Sequence, residues 1–142
     1  MTSIETLKNK LSEVNKYHLL VVGYKKHSVD ELNADVTLRG AVQRYLYLLT
    51  QATIDLGEVI ISFFKYRQPS TYAEIFEILF ENKFITHELI TPLKKMTGFR
   101  NILAHAYGQI HIEMVHQVLQ KDIFIIETFL GQIQNNISQF KS

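Results

Sequence analysis

Residues 35–66 read DVTLRGAVQRYLYLLTQATIDLGEVIISFFKY, and this segment decides how the chain folds. Its apolar side chains recur every three or four residues on more than one face, the pattern of a helix buried on several sides. Asp35 is well suited to cap the first turn. Gly40 and Gly57 each cost about 1 kcal/mol relative to alanine, so close packing against another helix is a plausible reason for either. The segment predicts one long central helix from Asp35 to about Tyr66.

Capping boxes indicate further helices on either side. A hydroxyl followed three residues later by a carboxylate occurs at Thr2–Glu5, Ser28–Glu31 and Thr71–Glu74. Each such pair satisfies free backbone N–H groups at a helix start. The first box predicts a helix ending near Gly23, the second a short helix ending near Asn33, and the third another short helix.

Two longer helices are predicted in the second half of the chain. One runs from Ile85 to Ala106, with Pro92 either bending it or marking its true start, and with Gly108 as its C-terminal cap. The other runs from about Ile112 to Phe140. The whole pattern predicts an all-α, up-and-down bundle of four long helices with one or two short ones, and residues 1–142 read as a single domain.

The composition excludes several classes of protein. The chain has no cysteine, so disulfides, thiolate metal sites and a cysteine nucleophile are excluded, and a reducing cytoplasm is the expected location. The first ten residues lack the apolar block of a signal peptide, and no stretch reaches the roughly 18 apolar residues expected of a membrane span. The formal net charge is +1, so any nucleic acid would have to bind through a local basic patch.

The chemically distinctive stretch is Arg100-Asn101-Ile102-Leu103-Ala104-His105-Ala106-Tyr107. On a helix that turns about 100° per residue, Arg100 and Tyr107 share one stripe, and Asn101 and His105 share the neighbouring one. Arg100 and His105 lie about 140° apart, but the long guanidinium arm can still swing toward the imidazole.

These residue types suit metal-free RNA cleavage, in which the 2′-hydroxyl attacks its own phosphate. Histidine can transfer protons near neutral pH, and a helix C-terminus favours the protonated form of His105. Arginine can fork onto the phosphate and stabilise transition-state charge. On the Arg–His spacing alone, a surface arginine and a capping histidine are the alternative interpretation.

Other polar and aromatic groups have weaker claims. His111, Glu113 and His116 do not have the three- or four-residue spacing of metal ligands on one helix, so no metal site is expected. Asp55 could orient an active-site group, although a structural hydrogen-bond network is favoured. An aromatic series on the long helix could stack on RNA bases, although packing in the core or a dimer interface is favoured. This series consists of Tyr45, Tyr47, Phe63, Phe64 and Tyr66.

The motif resembles the signature of the HEPN superfamily, in which an arginine and a polar residue are followed by three residues and a histidine. The added Tyr107, giving His-x-Tyr, resembles the HepT-like (DUF86) branch. The lead-in Met96-Thr97-Gly98-Phe99 and the segments Ala41–Leu46 and Ala52–Asp55 are also similar to that branch. The resemblance spans most of the chain.

This resemblance implies a toxin that dimerises and cuts RNA, with transfer RNA as one candidate substrate, at a composite site that needs no metal or other cofactor. It implies Arg100, Asn101 and His105 as catalytic residues. It also implies a minimal nucleotidyltransferase antitoxin, MntA-like in a type VII system, that transfers AMP to Tyr107. The alternative is a non-catalytic helical module that binds a substrate or partner beside a nucleotidyltransferase.

A local basic patch would serve RNA binding in such a protein. Lys94 and Lys95 are the candidates nearest the motif, and Arg39 and Arg44 are possible additions from the long helix. For the two lysines, a solvated helix face is favoured over direct RNA contact.

Overall fold

The computed structural model describes residues 2–105 and 110–139, except for the side chain at position 139. The regular elements in these ranges are helices, so the predicted all-α class with long and short helices is confirmed. They are α1 (Ile4–Val22), α2 (Val29–Ala34), α3 (Val36–Phe63), α4 (Tyr72–Glu81), a 3₁₀ turn (His87–Leu89), α5 (Ile90–His105), α6 (Ile112–Gln117), a π turn (Val118–Asp122) and α7 (Ile123–Gln139).

Helix α3 lies at the centre, as its sequence predicts. It packs against α1, α2, α4 and α5, and its buried side chains form much of the core. By length and composition alone α3 could cross a membrane, although no stretch was predicted to do so. However, 56% of its most apolar 18-residue stretch is buried inside the fold. That degree of burial is typical of the core helix of a globular bundle.

The helix starts depend on side-chain caps. Ser28 and Glu31 form the predicted reciprocal box, and the Asp35 carboxylate accepts from the Leu38 N–H at 3.0 Å. The cap of α1 was predicted one residue too early, since Ser3 and not Thr2 accepts from a backbone N–H of the first turn.

The box predicted at the start of α4 forms only in part. Thr71 accepts from the Glu74 N–H, but the Glu74 carboxylate turns instead to Arg67 at 2.6 Å. Arg67 also pairs with Glu81 at 2.7 Å. The arginine thus ties both ends of α4 together.

Helix α3 ends at Phe63, three residues before the predicted Tyr66. Lys65 takes a left-handed backbone conformation with φ of 59°, and the Tyr66 N–H then bonds the Ile61 carbonyl at 3.0 Å. Glycine is the residue that commonly takes this conformation after a helix and lets the chain satisfy the last carbonyls. Here a lysine takes it, so the residue type does not mark the end of the helix in the sequence.

Pro92 lies in the first turn of α5, so it marks the true start of the predicted Ile85–Ala106 helix and does not bend it. Proline is tolerated there because the first N–H groups of a helix have no intrahelical partner. The predicted C-cap, Gly108, lies outside the described residues.

The last predicted helix, Ile112 to Phe140, is divided by the π turn into α6 and α7, and Phe140 lies outside the described residues. Val115, Leu119 and Ile123 are buried at successive four-residue steps. In a regular α-helix such steps drift around the axis, whereas the wider π turn keeps them on the core side.

Gly57 and Gly40 differ in what surrounds them. A Cβ built on Gly57 would lie 2.5 Å from Ile75 Cγ2 and 3.5 Å from Leu79 Cδ1, whereas a Cβ on Gly40 would meet nothing within 4 Å. Close helix packing therefore explains Gly57, where α3 meets α4. The same explanation is wrong for Gly40.

We expect Gly57→Ala to lower the free energy of unfolding by about 1–3 kcal/mol, because the added methyl group overpacks the α3–α4 contact. Gly40→Ala is the matched control and should raise it by up to about 1 kcal/mol, because only helix propensity changes. Urea unfolding followed by circular dichroism measures both, and equal effects at the two glycines would contradict this assignment.

Candidate active site

The distinctive motif lies on the C-terminal half of α5. Arg100 is half-buried, while Asn101 and His105 are exposed, and His105 is the last described residue of α5. Residues 106–109 are outside the described part of the chain, so Tyr107 is not placed. The structure therefore gives the geometry of the arginine end of the motif and the position of its histidine.

The Arg100 guanidinium is directed at α3. Its Nε donates to Gln51 Oε1 at 2.6 Å, and its Nη1 donates to Asn101 Oδ1 at 3.0 Å. Its Nη2 lies 3.5 Å from the Tyr47 hydroxyl, a weak hydrogen bond. Asn101 thus contacts Arg100, a contact that its shared stripe with His105 did not predict.

Two tyrosine rings flank the same guanidinium. Its central carbon lies 5.5 Å from the ring centroid of Tyr47 and 5.6 Å from that of Tyr72, the first residue of α4. Such cation–π contacts favour a charged guanidinium and restrict its motion. The arm therefore lies against α3 and α4 and does not swing toward His105 as the helix geometry alone allowed.

Sequence reasoning missed Gln51 and Tyr72 and misplaced Tyr47. A detectable signal was the four-residue spacing of Tyr47, Gln51 and Asp55, which puts polar groups on one stripe of an otherwise apolar helix.

The other members of the aromatic series pack as predicted. Tyr45 stacks on Tyr24 with ring centroids 6.2 Å apart, and Phe64 stacks on Tyr66 at 5.7 Å. Phe63 meets the edge of Phe64 at 4.9 Å. Tyr47 is the exception in the series because its ring faces arginines.

The candidate basic residues fall into different surroundings. Lys94 forms an ion pair with Glu77 of α4, so its charge is already compensated, while Lys95 is exposed. Arg44 lies over the Tyr47 ring at 5.6 Å, on the same tyrosine that contacts Arg100. Arg44 is therefore a better candidate than Lys94 for a second positive charge at this site.

A cavity lined mainly by apolar side chains does not coincide with the polar groups of the motif. It has a volume of about 520 Å³ and a mainly apolar lining, between α5 and the helices that follow it. Its lining includes Met96, Phe99, Ile102, Met114 and Ile126. A polyanionic ligand has little to bind there, so the chemistry of the motif belongs to the open surface around Arg100 and not to this cavity.

His111, Glu113 and His116 lie at the start and along the length of α6. Within residues 2–105 and 110–139, no group of three or more histidine, aspartate or glutamate side chains converges as metal ligands would.

The arrangement around α5 can perform two chemical tasks. A guanidinium held on one side by Gln51 and two aromatic rings can receive a phosphate with little loss of freedom. An exposed imidazole on the same helix can exchange a proton with solvent or substrate.

Comparisons with known proteins agree with this motif and fold. Residues 5–133 match the family described as Ribonuclease HepT-like. The chain is 31% identical over 104 residues to the mRNA nuclease HepT of Shewanella oneidensis, covering 73% of this chain and 78% of that protein. It is 28% identical over 137 residues to the tRNA nuclease HepT of Aphanizomenon flos-aquae, covering 95% and 93%.

A solved structure shows the same fold. The tri-AMPylated Shewanella oneidensis HEPN toxin in complex with MNT antitoxin superimposes with a TM-score of 0.79 at 26% identity, covering 91% of this chain and 96% of that one. The family match, the sequence similarity and the shared fold all lead to one assignment. The chain belongs to the HepT-like ribonuclease family of the HEPN superfamily.

Proposed function

We propose that the chain is the toxin of a toxin–antitoxin pair and acts as a metal-independent endoribonuclease. The observation that carries the proposal is the Arg100 guanidinium, held by Gln51, Tyr47 and Tyr72 on the helix that also presents His105. The relatives named as nucleases support RNA as the substrate.

In the proposed reaction the 2′-hydroxyl oxygen of RNA bonds to the adjacent phosphorus, and the bond from phosphorus to the 5′-oxygen breaks. His105 accepts the proton of the 2′-hydroxyl, and a protonated imidazole returns one to the leaving oxygen. Arg100 stabilises the charge on the phosphoryl oxygens, and Asn101 holds the guanidinium from the side. These groups supply both proton transfer and charge stabilisation, so the mechanism needs no metal ion.

We propose further that two copies complete the site. One histidine cannot easily act on both the attacking and the leaving oxygen, whereas a second copy would bring its own Arg100 and His105. Ile102, directly after Asn101, and Met114 support this placement, because both are more than a third exposed and line one apolar cavity, a surface that a second copy would cover.

The proposed control is transfer of AMP to Tyr107 by a nucleotidyltransferase antitoxin. The support is the related toxin solved in an AMPylated form with its antitoxin. A phosphate added at Tyr107, seven residues after Arg100 in the sequence, would compete with RNA for the positive charge of the motif.

The RNA class is proposed as transfer RNA, although the two named relatives differ, one as an mRNA nuclease and one as a tRNA nuclease. The proposed location is the cytoplasm, where both substrates are found. The alternative function, a non-catalytic binding module beside a nucleotidyltransferase, has no separate observation in its favour.

We expect the purified wild type to cut RNA in the presence of EDTA, and His105→Ala and Arg100→Ala each to lower the rate by at least about a hundredfold, because proton transfer or charge stabilisation is lost. His111→Ala is the matched control and should keep full activity. Assays on separate tRNA and mRNA substrates decide the RNA class. Loss of activity in EDTA would contradict metal independence, and a folded wild type that binds RNA without cutting it would favour the binding module.

Ile102→Glu should shift the protein from dimer to monomer and lower cleavage in parallel, because a buried carboxylate in the subunit contact is costly. Phe124→Glu is the control, since Phe124 is 61% exposed but lies on a different helix, α7. Light scattering and cleavage assays across a dilution series measure both properties. A monomer with full activity would rule out the composite site.

Co-expression with a nucleotidyltransferase antitoxin should add one or more AMP masses at Tyr107 and abolish cleavage, because the anionic adduct would compete with RNA for the positive charge of the motif. Mass spectrometry of the intact protein and of its peptides measures this. Tyr107→Phe should stay unmodified and remain toxic in the presence of the partner. Modification at another residue, or cleavage unaffected by modification, would refute this form of control.

A further inference from the structure

A stripe of polar residues on α3 leads to Arg100. Asp55, Gln51 and Tyr47 follow one another at four-residue spacing, and Gln51 and Tyr47 contact Arg100 of α5. Gln51 is the link, since its Nε2 donates to Asp55 Oδ1 at 2.8 Å and its Oε1 accepts from Arg100 Nε at 2.6 Å. The three side chains Asp55, Gln51 and Arg100 form one directed series of hydrogen bonds.

The direction of this series has a chemical cause. An ionised carboxylate only accepts hydrogen bonds, so Asp55 requires the NH₂ end of the Gln51 amide. The amide oxygen then has to face Arg100, where it is the acceptor that a guanidinium needs. Without the carboxylate, the amide could turn its NH₂ group toward Arg100 and repel it.

Asp55 also forms a long ion pair with the first helix. Lys10 of α1 lies 3.8 Å from Asp55 Oδ2 and 3.2 Å from Glu13, and all three side chains are partly exposed, so the pair is weak. The lysine forms no hydrogen bond to Gln51 or Arg100. The series therefore connects α1, α3 and α5.

The contacts also determine which edge of the guanidinium is left for a ligand. Arginine has five N–H donors, one on Nε and four on the two Nη atoms. Within the described residues, Gln51 takes the Nε donor, and Asn101 and Tyr47 each take one from a different Nη atom. One N–H then remains on each Nη atom, so two donors on different nitrogen atoms are left for the oxygens of a phosphate.

We infer that Gln51 and Asp55 are positioning residues that fix the direction of the Arg100 fork toward the scissile phosphate. The inference rests on the proposed ribonuclease function for its consequence in catalysis. The hydrogen-bond series itself is independent of any activity.

The kinetic test is Gln51→Leu, which keeps a side chain of similar bulk but removes both hydrogen bonds. We expect kcat to fall about tenfold to a hundredfold with KM changed by less than about threefold, because orientation in the transition state is lost while most RNA contacts remain. Gln43→Leu is the matched control, a half-buried glutamine on the same helix with no hydrogen bond to the described residues. A loss of melting temperature equal in both variants with kcat unchanged would leave Gln51 purely structural and overturn the inference.

A double-mutant cycle tests whether Asp55 acts through Gln51. Asp55→Ala should lower kcat by itself but add little to the loss already caused by Gln51→Leu, since residues in one series are not additive. Lys10→Ala is the control for the other contact of Asp55 and should change kcat less than about twofold. If the losses of kcat in Asp55→Ala and Gln51→Leu add fully in the double variant, Asp55 does not act through Gln51 and the inference is overturned.

A third measurement needs no activity. In the wild type, the Arg100 Nε–H should exchange slowly with solvent in side-chain NMR spectra, because Gln51 accepts it. Exchange should speed up in Gln51→Leu and, to a smaller extent, in Asp55→Ala, but not in Gln43→Leu. Unchanged exchange in both variants would overturn the inference even if RNA is cleaved. If exchange is slow in the wild type and faster in Gln51→Leu, but the wild type does not cleave RNA, the proposed function is refuted and the series stays intact.

Discussion

The rest of the structure depends on the burial of α3. An apolar helix 28 residues long has to be covered on several sides, and α1, α4 and α5 provide that cover. Polar groups on its half-buried surface then have to find hydrogen-bond partners inside the cover, because an unpaired buried amide or carboxylate is costly. Gln51 and Asp55 are such groups, and the partners they find are Arg100 of α5 and Lys10 of α1. The requirement that stabilises the fold therefore also orients the arginine of the motif.

The sequence predicts the helices well where their signals are local. The Ser28–Glu31 capping box and the Asp35 cap each involve residues no more than one helical turn apart, and both form where the sequence predicts them. The errors arise where the deciding contact comes from elsewhere or gives no signal in the residue type. Lys65 ends α3 in a conformation that lysine rarely adopts. The π turn after α6 has no marker residue in the sequence. Gly40 and Gly57 look alike in sequence, and only the position of α4 distinguishes them.

The candidate site divides in the same way. The residue types and spacing of Arg100, Asn101 and His105 are local properties of one helix, so the motif can be read from the sequence. Gln51 and Tyr72 lie tens of residues away, and no short-range pattern connects them with Arg100. Their involvement depends on how α3 and α4 pack against α5, which spacing along the chain does not determine. The same holds for Lys94, whose partner Glu77 belongs to another helix.

The Gln51 amide between Asp55 and Arg100 explains how a chain of net charge +1 can still present Arg100 as an effective cation. Arg67 and Lys94 each pair directly with carboxylates, and the hydrogen bonds that Arg67 donates to Glu81 and Glu74 raise the pKa of its guanidinium. Direct pairing orients a cation but also compensates its charge. At Arg100 the neutral amide of Gln51 stands between the guanidinium and Asp55, so orientation is passed on while the negative charge stays one side chain away. Because the interaction of two charges weakens with distance, Arg100 keeps more of its positive potential for an incoming phosphate than a directly paired arginine would. A glutamine at this position therefore suits an anion-binding arginine better than a glutamate would, although a glutamate would form the stronger bond.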